Sequence, residues 1–163
     1  MDAEYRRNQT NLRYSGAAII VLAIWAEIKM MVFYALNPDL YLGYIDPETD
    51  PMILKYVDVI AFVLLGIFGL LILLLHVYLG RSAIRDARGE KKHRFYTIVA
   101  SVVLLLTFFN DIWTMVMKYR GKVNDMHYTT YLIDITTVVA LVIIVYSSHN
   151  LNRIRRQQAP AGE

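Results

Sequence analysis

Five charged residues stand inside stretches that are otherwise almost wholly apolar: Glu27 and Lys29 in WAEIKMM, Asp58 in YVDVI, Asp111 in FNDIW and Asp134 in LIDIT. An unpaired charge at the centre of a bilayer costs about 2.5–3.5 kcal/mol on insertion scales, so such residues face a bundle interior, pair, or lie near water. Carboxylates gathered beside an ammonium group are equipped to hold a cation, relay protons or bind a polar ligand. Glu27 and Lys29 cannot neutralise each other locally. At about 100° per residue they point roughly 200° apart, and only i,i+3 and i,i+4 neighbours meet on a helix. Gly16, Ile20, Glu27 and Tyr34 share one stripe, with Trp25, Lys29 and Phe33 on nearly the opposite one. At least one of the two therefore needs a partner on another helix or another subunit, unless Lys29 snorkels along lipid.

Two histidines suggest a second chemistry. His76 and His149 fall near the same end of parallel-running apolar stretches, which is how a helical bundle presents two axial ligands to a haem. The competing expectation is two interfacial polar residues beside the neighbouring arginines. Asp58, Leu65, Gly69, Ile72 and His76 share a stripe, and Gly69 permits close approach of another helix.

The elements that must hold these residues are four apolar runs, at about 14–36, 52–79, 95–117 and 129–148. Each reaches the roughly 20 residues a helix needs to cross about 30 Å of hydrocarbon. With 163 residues, 56% of them hydrophobic, and a mean hydropathy of +0.38, the chain is too apolar for a soluble domain and has no room for a second one. The expectation is an all-α membrane protein: a single membrane domain, 1–163, built as a four-transmembrane-helix bundle. Loop 80–94 would lie on one side, and loops 37–51 and 118–128 on the other.

Most of the 17 basic residues flank the first run, fill the 81–94 segment or follow the last run. By the positive-inside rule both termini and loop 80–94 face the cytoplasm, giving an N-in, C-in protein of the plasma (inner) membrane. The basic loops read as topology determinants, and RGEKKHR is too short to form a folded reader of nucleic acid, so no nucleic-acid partner is expected. The first run lacks a small-residue cleavage site and reads as a retained helix. The chain has no cysteine, which excludes disulfides and thiolate metal or redox sites. No phosphate-binding glycine loop, nucleophile elbow or HExxH helix is present, so nothing names an enzyme.

The halves resemble each other weakly. WAEIKMMV (25–32) aligns with FNDIWTMV (109–116), placing Glu27 against Asp111, and YVDVI aligns with LIDIT, placing Asp58 against Asp134. Two repeated hairpins would be related by an axis along the membrane normal. In that arrangement Glu27, Asp58, Asp111 and Asp134 share the outer part of the membrane, with Lys29 as counter-ion. Asp58 and Asp134 are also shallow enough to be solvated or to sit at helix starts. The sequence thus points to a transport or channel-type protein using this acidic cluster for cations or protons. The alternatives are an accessory subunit of a larger membrane complex and an anchor for haem or quinone. The partners expected are the lipid bilayer and further copies of the chain or a membrane complex; the sequence names no cofactor, and of the candidates a bound cation stands ahead of haem.

Overall fold

The computed structural model describes residues 2–36, 51–90, 95–120 and 128–158, which form four helices. They are α1 (Asp2–Leu36), α2 (Pro51–Ala87), α3 (Phe95–Tyr119) and α4 (Tyr128–Gln158). Expectations for 37–50 of loop 37–51 and 121–127 of loop 118–128, for Lys91, Lys92, His93 and Arg94, and for the side chains of Asp58 and Lys118 lie outside the described residues. All four helices are long and apolar enough to cross a membrane, over Ala3–Leu36, Val59–Ala87, Phe95–Met117 and Leu132–Gln157. The chain is therefore read as an all-helical, multi-pass integral membrane protein.

Three helices run well beyond the apolar runs. α2 continues through 80–87, expected as loop, because no Gly or Pro stops it between Gly80 and Gly89. That extension has its own packing face: Ser82, Ala83, Asp86 and Ala87 are buried, while Arg81, Arg85 and Arg88 are exposed. The stop is a Schellman turn. Gly89 takes φ +80°, its N–H donates to Asp86 O at 2.9 Å, and the Glu90 N–H donates to Arg85 O at 3.0 Å.

α1 packs chiefly between α2 and α4, and α3 packs on α4 while touching α2 only lightly. The α1–α2 pair is antiparallel and close. A Cβ on Gly16 would lie 2.7 Å from Gly80 O and 3.1 Å from the Ile84 side chain, so the two backbones touch where only glycine fits. Farther along the same pair, Glu27 lies against Gly69 and Met31 against Gly66. The pairings set the register: as residue number rises on α1, it falls on α2 by nearly the same amount. Tyr5 of α1 and Arg155 of α4 meet beside Asp86, so both chain termini leave from one end of the bundle.

Burial is concentrated at that termini end. The core consists of Leu12 and Ile19 of α1, Leu79, Ala83 and Ala87 of α2, Tyr96, Ala100 and Val103 of α3, and Ala140, Leu141, Ile144 and Leu151 of α4. Among the described residues from 20 to 36, 56 to 78, 104 to 120 and 132 to 139, Gly69 alone is buried. The far half of the bundle is thus loosely associated, and its large apolar side chains are mostly exposed where lipid would cover them. Hydroxyls in these helices satisfy themselves: Thr136 and Thr137 donate to the carbonyls of Leu132 and Ile133, at 2.6 and 2.8 Å.

Candidate functional site

Two polar groupings occupy opposite ends of the bundle. The far-end grouping contains the charged residues singled out by the sequence. α1 lies between α2 and α4, so the two sides on which Glu27 and Lys29 project have different neighbours. Glu27 projects onto α2, where its carboxylate fills the space a Gly69 side chain would take. Its Oε1 is buried and has no hydrogen-bond partner among the described residues. Lys29 projects the other way: Asp134 on α4 is within electrostatic reach of both Lys29 and Asp111 on α3. Asp134 thus lies within electrostatic reach of one like and one opposite charge on the neighbouring helices, while Glu27 stands on the α2 side of α1. All four are partly exposed. For Asp58 only the backbone position on α2 is described.

The histidines lie on α2 and α4. The His76 Nδ1 is 2.8 Å from Ile72 O one turn back on α2, whereas His149 is exposed on α4 and lines a cleft toward α3. No group of three or more His, Asp or Glu side chains among the described residues is arranged to hold a metal ion.

The termini-end grouping is built around Asp86, which hydropathy placed in a loop. Three donors converge on its carboxylate. Arg155 of α4 donates through Nη1 to Oδ1 at 2.6 Å, the Tyr96 hydroxyl of α3 donates to Oδ2, and Ser148 of α4 approaches Oδ2 at 3.3 Å. The Tyr96 oxygen is 2.8 Å from Ser148 Oγ, which is 3.0 Å from Thr97 Oγ1. A phenol has one proton to give, and the carboxylate is the strongest acceptor present, so the hydroxyls form a chain that ends on Asp86. The same residues close the end of α2. Arg155 Nη2 donates to Asp86 O at 2.7 Å, and Gln9 of α1 donates to Ala87 O at 2.8 Å. With the Schellman turn, these satisfy the orphan carbonyls of the last turn, and the Arg155 cation sits at the negative end of the helix dipole. Tyr5 accepts a further hydrogen bond from Arg155, so all four helices meet in this clamp. The clamp side of Asp86 is dry: its side chain is 4% exposed, against 27% for Arg155.

The arrangement can do two things chemically. The clamp joins four helices through charge-assisted bonds and offers no open face for a ligand. The far-end group presents two carboxylates and one ammonium where packing is loose. Between them lies the apolar core of Ile19, Ala100, Ala140, Leu141 and Ile144.

The proposed repeat has an uneven counterpart in this packing. A two-fold relation between hairpins would make α1·α4 equivalent to α3·α2, yet the first is an extensive contact and the second a slight one. No family model, curated protein or solved structure matches the chain.

Proposed function

We propose that the protein moves protons or a small cation across the membrane, with Asp111, Asp134, Lys29 and Glu27 as the binding station. The observation that carries this reading is that Asp134 lies within electrostatic reach of both Asp111 and Lys29, on three different helices at the loosely packed end. Two carboxylates facing one ammonium leave an uncompensated negative charge, which a proton or cation relieves. Glu27 supports the same reading, because a buried carboxylate oxygen without a donor is costly until it takes a proton or cation. With the basic end in the cytoplasm, the station faces outward, and the apolar core and the Asp86 clamp form the closed side. Passage then requires the clamped end to loosen, making Arg155–Asp86 the natural latch.

Flux in proteoliposomes tests this directly. Glu27→Gln and Asp111→Asn should each lower proton or cation flux by roughly tenfold or more, the effect of losing about 1.4 kcal/mol at the station. Flux unchanged in both variants would end the reading. One observation favours a second: the far halves of α1 and α2 bury almost no side chains within the chain. Helices of a larger complex would supply that packing, and a stoichiometric partner co-purified from native membranes would favour this accessory role.

A further inference from the structure

The C-terminal end of α4 carries three arginines with two different roles. Arg155 turns into the clamp and is held by Asp86. Arg153 and Arg156 remain exposed and, with His149 and Asn152, line a cleft of about 380 Å³ whose opposite wall is Thr97 and Ile98 in the first turn of α3. His149, Arg153 and Arg156 follow the i, i+4, i+7 pattern and share one face of the helix. Among the described residues no carboxylate lines the cleft, although Asp86 is only one helix away. Continuing along α4, the same stripe passes to Tyr146 and Val142, 61% and 46% exposed, and Ile98 and Val102 of α3 are exposed at 61% and 50%. A cationic mouth therefore opens onto an apolar surface that runs toward the middle of the bilayer.

We infer that this cleft is a binding site for an anionic phospholipid, with its phosphate held by Arg153 and Arg156 and its acyl chains along Ile98, Val102, Val142 and Tyr146. The fit is by chemistry at each level. Guanidinium forks match phosphate oxygens, the position is that of a basic pocket between transmembrane helices at a membrane interface, and the apolar continuation accepts the tails. The site is separate from the far-end charges and does not depend on any flux.

The test is native mass spectrometry of the whole protein from mixed micelles holding equal dioleoylphosphatidylglycerol and dioleoylphosphatidylcholine. Wild type should retain the anionic lipid with a preference of roughly tenfold to thirtyfold, as two arginines near a surface provide. The double variant Arg153→Gln/Arg156→Gln should lose most of that preference, Arg153→Lys/Arg156→Lys should recover part of it, and Arg88→Gln, on α2, should leave it intact. Circular dichroism confirms that each variant is folded. Equal retention by wild type and the Gln double variant would overturn the site. So would selective capture of inorganic phosphate at micromolar concentration without lipid, which would assign the cleft to a free anion.

Discussion

Three donors converge on the Asp86 carboxylate, and the loss of any one leaves a buried charge short of a partner. Breaking a buried ion pair costs about 3–5 kcal/mol. Arg155→Gln should fall at the low end, near 3 kcal/mol by that scale, because the arginine keeps 27% exposure. Tyr96→Phe removes one hydrogen bond to a charged group and should cost about 1.5–3 kcal/mol. Thermal unfolding in detergent should rank wild type above Tyr96→Phe and Tyr96→Phe above Arg155→Gln. Asp86→Asn/Arg155→Gln should cost less than the sum of its single variants, since both break one bond. This clamp was hidden in the sequence. Asp86 sits past an apolar run, where hydropathy reads a loop, and Arg155 resembles any basic residue that sets orientation. Their bond spans 69 residues, and no local pattern marks such a pairing. The far-end residues were more legible. Helical phase alone separated Glu27 from Lys29, and the stripe through Gly69 marked a place of close helix approach, where Glu27 is found.

At the scale of helices, two glycines on α2 carry different burdens. Gly80 meets the backbone of Gly16, and a backbone cannot step aside. Gly16→Ala or Gly80→Ala should therefore force α1 and α2 apart and destabilise the protein by about 1–3 kcal/mol, readable as a lower melting temperature. The nearest atoms a Gly69→Ala side chain meets are those of the Glu27 carboxylate, the end of a flexible side chain. Its effect on melting should stay within about 0.5 kcal/mol, yet flux should fall because Glu27 is displaced. Equal melting of Gly16→Ala and Gly69→Ala would contradict this division. The four helices were legible because each contains a run long enough to span hydrocarbon. Their extensions were not, since the edge of an apolar run does not end a helix. Helix α2 persists until Gly89 supplies the left-handed turn that closes it.

For the whole molecule, the distinctive feature is the contrast between a packed termini end and a loose far end. A cysteine-free chain makes that contrast directly measurable, because single cysteines can be labelled without background. Cysteines at Arg7 and Arg156 should react from the same side of the membrane, since both residues lie at the end where Tyr5 and Arg155 meet. Labelling from opposite sides would break the up–down arrangement of the helices. Thr114 lies one turn beyond Asp111 and is partly exposed, whereas Ala140 is 5% exposed in the core between the two polar groups. The most direct measurement is the reaction of Thr114→Cys and Ala140→Cys with a membrane-impermeant thiol reagent in sealed vesicles. If the far-end charges form a water-reached station above a closed core, Thr114→Cys reacts from the side opposite the termini and Ala140→Cys reacts from neither. An inert Thr114→Cys beside a reactive Ala140→Cys would contradict it.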